Sequence, residues 1–244
     1  MAEPDTSSLN SCPHCGQPIA EQFCAQCGEH RPVPLKLAEL APGVFEQLLQ
    51  FEYPLARTLK LLASRPAELV RRYWAGDRRH FTHPFKLCFW AATLDFALVI
   101  ALGLVNTLVI GAETVDSSEL LLMLSIGQYM QFLYFIPVAW LVAYLLRPSV
   151  TPLAGYVALL YGFAAIHLLK ALTIGIVLLH SEIGFWLHRL ITPLYVIWLF
   201  CGLLPGAMWA RVARGLLIYL SYVLCQIAVN SLSVFLQRAW QSVF

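Results

Sequence analysis

Charge is scarce in this chain. Only 12% of its 244 residues are Asp, Glu, Lys or Arg, against 59% hydrophobic residues, and the net charge is +2. A soluble globular domain carries about 25% charged residues. A nucleic-acid partner needs a strong basic excess to neutralise phosphates, so that class is excluded as well. The first 30 residues hold polar groups and cysteines where a secretory apolar run would lie, so the N-terminus is expected to stay in the cytosol. Walker loops, G-x-G-x-x-G, G-x-S-x-G and H-E-x-x-H are missing, which removes the common soluble-enzyme signatures. Cysteines number seven and are unevenly placed, with Cys88, Cys201 and Cys225 in apolar runs and the other four near the N-terminus. Such spacing points to metal binding in a reducing compartment rather than to a disulfide framework.

The charge that is present lies mostly at one end. Residues 1–86 hold 19 of the 30 charged side chains, and residues 57–86 alone carry eight bases against two acids. The chain therefore divides near His83 into a polar head and an apolar body, with a basic junction suited to a bilayer with anionic headgroups.

Residues 1–11 lack pattern and are expected to be a disordered tail. At residues 12–30 come two Cys-x-x-Cys-Gly knuckles, built on Cys12, Cys15, Cys24 and Cys27. Four thiolates can close a tetrahedral site, and the glycine after each pair permits the tight turn that brings amide N–H groups to the sulfurs. The expected cofactor is one structural zinc ion in a small zinc ribbon. A redox pair would need a βαβ context that is missing, and a catalytic zinc would need an open position that four thiolates leave no room for. Pro13, Pro18 and Phe23 are expected to stiffen the unit and form its miniature core.

From residue 31 to 83 proline punctuates short amphipathic helices, with starts at Pro42, Pro54 and Pro66 and Gly76 as a stop. Arg57, Lys60, Arg71, Arg72, Arg78 and Arg79 are the candidate membrane-surface residues. Helices of this type lie in the headgroup region or pack on the ends of the spanning helices, and the pattern fits both. Pro84 is placed in the first turn of the first span.

The knuckles, followed by Thr58, Leu59, Leu62, Pro66, Tyr73, Gly76, Arg78, Phe81 and Pro84 at their particular spacing and then several apolar runs, resemble the bacterial membrane proteins of the domain of unknown function 3667 family. The resemblance covers residues 12 to about 90 by motif. It implies a bacterial inner-membrane location and no particular activity. Five spans behind a cytosolic head are also loosely similar to the Yip family.

Residues 84–244 contain five runs long enough to cross about 30 Å of hydrocarbon, set at 86–110, 120–146, 153–179, 190–209 and 215–237. Arg147, Arg211 and Arg214 join the basic junction on one side, while Glu113, Asp116, Glu119, Glu182 and Arg189 fall on the other. The positive-inside rule then puts the N-terminus in the cytoplasm and the C-terminus outside. The expected fold class is an all-α polytopic membrane protein with five transmembrane helices, a small N-terminal four-cysteine zinc ribbon and short amphipathic interfacial helices.

Polar residues recur inside these runs. Ser125, Gln128 and Gln131 are spaced by three, His167 and Lys170 share a face with Tyr156, and Tyr222, Gln226, Asn230, Ser233 and Gln237 form a regular stripe. Exposing such groups to acyl chains is costly, so they are expected to face each other or a wet interior. Counted at 1.5 Å per residue, Asp95 lies roughly 14 Å, His167 roughly 21 Å and Lys170 roughly 26 Å from the inner ends of their spans, which pairs Asp95 with His167 and lets Lys170 snorkel outward. The trio can relay protons or hold a lipid phosphate, or it can be an ion pair beside a snorkelling lysine. His180, Glu182, His188 and Arg189 form an outer cluster with ordinary spacing for two interface segments.

Two functions follow as expectations. The first is a non-enzymatic membrane adaptor or assembly factor whose zinc ribbon docks a protein partner. The second is a small transporter or lipid-handling protein using a polar interior around Asp95, His167 and Lys170.

Overall fold

Pro54, Pro66, Pro84 and Pro152 each stand at a helix start, where a missing N–H costs nothing and a fixed φ is already helical. The computed structural model describes residues 12, 15–19, 22–27, 54–102, 117–146 and 150–243, with residues 117–128, 181, 230 and 232–243 described by backbone alone. The tail at 1–11, the helix expected from Pro42 and the segment after the first span lie outside the described residues. From residue 54 onward the described chain is helical: α1 Leu55–Ser64, α2 Pro66–Trp74, α3 Pro84–Ala101, α4 Ser117–Leu145, α5 Pro152–Leu179, α6 Ser181–Leu203 and α7 Met208–Val243.

Helix ends follow local chemistry. The Thr151 side chain accepts a hydrogen bond from the Ala154 N–H and caps α5. At the end of α2, Gly76 takes φ +103°. The Gly76 N–H then reaches the Tyr73 carbonyl and the Asp77 N–H the Arg72 carbonyl, the pairing that closes a Schellman turn. Glu68 in the first turn of α2 and Arg71 and Arg72 in its last turn complement the helix dipole.

Four helical segments are long and apolar enough to cross a membrane: Pro84–Ala101, Pro152–Leu179, Glu182–Leu203 and Met208–Val229. They mark an integral membrane protein. In the 29-residue α4, Tyr129–Leu145 is a shorter apolar stretch. Large apolar side chains such as Trp140, Leu172, Trp186, Leu194 and Leu224 face outward, as they do where lipid rather than water is the solvent.

The centre of the bundle is α5, which packs against α1, α2, α3, α4 and α6, while α7 closes against α4 and α6. Its neighbours approach closely because glycine is small. A Cβ on Gly155 would lie 2.7 Å from the Ala139 carbonyl oxygen of α4, and one on Gly162 2.8 Å from Leu199 of α6.

Two span boundaries differ from the sequence reading. The run set at 190–209 is a helix from Ser181 to Leu203, separated from α5 by His180 alone. Its polar first turns look like a loop in one dimension but fold as helix. The run set at 215–237 begins at Met208, so Arg211 and Arg214 are helical rather than in a loop. They donate to the Cys201 and Pro205 carbonyls at 3.0 and 3.1 Å, covering the C-terminal end of α6.

The two short helices pack on one end of this bundle. Thr58 is fully buried, donating to the Pro54 carbonyl at 2.9 Å and accepting from the Thr82 N–H at 2.9 Å. The next carbonyl, that of Thr82, accepts from the Tyr161 hydroxyl of α5 at 2.7 Å. Thr58→Val keeps the shape but strands a buried N–H, and it should lower stability by about 1–3 kcal/mol. Thr58→Ser should stay near wild type. Thermal unfolding of the detergent-solubilised protein compares them, and a fully stable Thr58→Val would refute this role.

Candidate functional site

Asp95 sits on α3, Gln131 on α4 and His167 on α5, and all three are buried. The depth argument for Asp95 and His167 is met by contact: His167 Nδ1 lies 2.9 Å from an Asp95 carboxylate oxygen. Gln131 supplies a partner the spacing argument did not single out, with its Oε1 3.0 Å from His167 Nε2. With its proton on Nδ1, His167 donates to the Asp95 carboxylate. The network leaves two loose ends, since Asp95 Oδ1 and Gln131 Nε2 are buried without a hydrogen-bond partner.

Beside this network is a cavity of about 400 Å³ between α3, α5, α6 and α7. Asp95, His167 and Lys170 line it together, as do Gln226 and Tyr222 of the α7 stripe. His188 and Arg189, assigned by sequence to an outer cluster, belong to the same wall because α6 begins so early. Arg189 also stacks over the Phe185 ring at 4.6 Å. The Asn230, Ser233 and Gln237 side chains lie outside the described residues.

An aromatic cluster adjoins the cavity. Phe163 and Tyr222 line it, and their ring centroids are 4.5 Å apart; Phe135 is 4.7 Å from Phe163 and 6.1 Å from Tyr156. Pro152 to Tyr161 of α5 face α2, so Lys170 lies toward the opposite end of the bundle.

A second site is formed by the cysteines. The four sulfurs of Cys12, Cys15, Cys24 and Cys27 lie within 4.8 Å of one another, with Cys12 to Cys27 and Cys15 to Cys24 both 3.5 Å. Tetrahedral ligation at a metal–sulfur distance of about 2.3 Å requires sulfurs about 3.8 Å apart, so the donor set fits a metal ion. Gly16 turns at φ +75°, the Gly16 N–H donates to the Cys12 carbonyl, and the Cys12 N–H donates to the Gln17 carbonyl. Backbone N–H groups of Cys27 and Gln26 hold the Cys24 thiol down at about 7. Ile19, not Phe23, fills the miniature core with Cys12 and Cys24, while Phe23 is 58% exposed. Among the described residues this is the one metal-ligating cluster found.

The basic residues at the junction divide by role. Arg71 donates to the Gly202 carbonyl at the end of α6. Arg72 grips the buried Asp77 through two nitrogens at 2.7 and 3.2 Å, and His80 Nδ1 lies 2.7 Å from the other carboxylate oxygen. Arg57 and Arg72 stack over Phe81, and Arg78 over Tyr73. Lys60 and Arg79 are exposed. Trp74 donates to the Ala154 carbonyl at 3.0 Å and Tyr195 to the Leu62 carbonyl at 2.7 Å. This end of the bundle is held by side chains reaching main-chain carbonyls across elements.

Residues 54–96 match the model of a family described as a protein of unknown function (DUF3667). The resemblance read from Thr58 to Pro84 is thus borne out, over a segment comprising α1, α2, the turn after them and α3 as far as Phe96. No curated protein and no solved structure matches the chain, and the likeness to the Yip family gains no support.

Proposed function

We propose that this chain is a five-span carrier or lipid-handling protein that acts on an ionic ligand within its bundle and catalyses no covalent chemistry. The observation that supports this is the convergence of Asp95, His167, Lys170, His188 and Arg189, from three helices, on one cavity. Ionisable groups at such depth are expensive to keep and usually mark a pathway or a ligand site. The fifth span in this reading is α4, whose 29 residues suffice in length. The four thiols hold zinc, the head and the α1–α2 end face the cytoplasm, and the membrane is the bacterial inner membrane.

Reconstitution tests it. Vesicles containing the protein should move protons under an imposed pH gradient or a fluorescent phosphatidylglycerol between leaflets, and Asp95→Asn should remove most of that activity. Wild-type vesicles no faster than protein-free ones in both assays would sink the proposal.

An adaptor role is the second reading, and the exposed Phe23 between the two thiol pairs favours it. An outward aromatic ring beside a thiol pair is a suitable anchor for a protein partner. If the set of co-purifying proteins is unchanged in Phe23→Ala, this reading fails.

A further inference from the structure

The cavity carries a charge imbalance that its own residues do not resolve. Asp95 is the one acid on its wall and is already engaged by His167. Lys170 and Arg189 are on the same wall, and among the described residues neither has a carboxylate within ion-pair distance. By helix position they lie at similar depth, about 14 Å and 12 Å from the ends of α5 and α6 that meet at His180. Two cations on the wall of one cavity inside a helical bundle call for a counter-charge.

His188, buried at 7% exposure, lines the same wall one residue before Arg189. The rest of the lining mixes apolar Phe96, Val99 and Val223 with polar Thr192, Tyr222 and Gln226. About 400 Å³ accommodates a headgroup and the first carbons of a chain rather than a whole two-chain lipid.

We infer that this cavity binds a singly charged oxyanion, a carboxylate or a phosphodiester, with Lys170 and Arg189 as its charge partners. The inference rests on the carrier reading and gives that site its ligand class. A lipid headgroup and a free anion share this chemistry, and the choice of probes separates them.

The test uses the full-length protein in a neutral detergent, with binding read from the rise in thermal midpoint on titration. Probes are phosphatidylglycerol, oleate, inorganic phosphate and uncharged dioleoylglycerol. Phosphatidylglycerol and oleate should bind and dioleoylglycerol should not; phosphate binding as well would identify free anions as a second source. Lys170→Gln and Arg189→Gln should each weaken binding about tenfold or more, as removal of one member of a close charge pair does. Lys170→Arg should restore it, and Thr192→Trp, which fills the cavity, should abolish it. Ligand-free midpoints identify any variant that fails to fold. Unchanged affinity in both folded glutamine variants would overturn the inference. Equal binding of dioleoylglycerol, lost in Thr192→Trp, would overturn the charge assignment and leave the carrier reading standing. No binding by any probe would overturn both.

Discussion

If the four thiols hold zinc as proposed, Cys24→Ser should strip the head of it, leaving less than about a tenth of the zinc retained by the wild-type chain after dialysis at neutral pH. The four sulfurs already stand at ligation spacing, so losing one converts a closed shell into an open and weaker one. Cys24 is also the sulfur on which the Cys27 and Gln26 amides converge, which gives it anionic character near neutrality. A unit whose described core consists of Cys12, Ile19 and Cys24, with Cys27 packed against it, has little other stabilisation. Zinc binding in comparable small modules is worth about 10–16 kcal/mol, so its loss should unfold the segment. Limited proteolysis should then cut between residues 12 and 27, while the midpoint of the helical body stays constant because its core is a separate cluster. The pH dependence has a fixed sign. A thiol held at about 7 is protonated as pH falls through that value, so zinc affinity should drop steeply in mild acid and recover above it. A Cys24→Ser chain with full zinc content would remove the four-thiol site from consideration.

Much of this arrangement was legible because it depends on local rules. Prolines at helix starts, the glycine that ends α2 and the Cys-x-x-Cys-Gly knuckles act over a few residues, and a sequence displays them directly. The pairing of Asp95 with His167 was also legible, since helix rise converts residue number into depth and charges in hydrocarbon must match in depth. Gln131 could not be singled out, because a glutamine in a polar stripe is as consistent with ordinary interhelical contact as with holding a histidine. His188 and Arg189 were misplaced for a related reason. Polar residues at the edge of an apolar run read as loop, and only the tight turn at His180 reveals that they continue α6 into the bundle. The junction showed a different ambiguity. A basic amphipathic helix gives the same pattern whether its arginines meet phosphates or carbonyls, and here Arg71 and Arg72 meet protein.

That distinction bears on how the two ends of the molecule are tied. Asp77, buried at 1% exposure, gathers Arg72 and His80, and Arg72 stacks on Phe81. Phe81 is followed by Thr82, whose N–H is held by Thr58 and whose carbonyl by Tyr161. Three residues later the chain is inside α3, which carries Asp95 into the cavity. The segment matched by the family thus links the α1–α2 end to one wall of the polar site through continuous hydrogen bonds and packing.

Asp95→Ala should be the most damaging single change in the bundle. It leaves the buried His167 Nδ1 without its acceptor, and stranding a buried donor costs about 1–3 kcal/mol. Ordinary polar contacts between membrane helices are worth only about 0.6 kcal/mol on average, because the separated helices find other partners. Gln131→Leu, which removes a neutral contact to the same histidine, should therefore fall near that lower value. Replacing both members, as Asp95→Leu with His167→Leu, should recover most of the stability, since an apolar pair of similar volume satisfies the bundle as well as an ionic one does. Unfolding of these three variants beside wild type in mixed micelles measures the differences. An Asp95→Ala chain no less stable than Gln131→Leu would mean that the carboxylate is hydrated or uncharged and that the pair is not what holds α3 to α5. The double variant also separates the two uses of the site. If it folds like wild type yet moves neither protons nor phosphatidylglycerol, then Asp95 is retained for its carboxylate on the cavity wall rather than for the helix contact it makes.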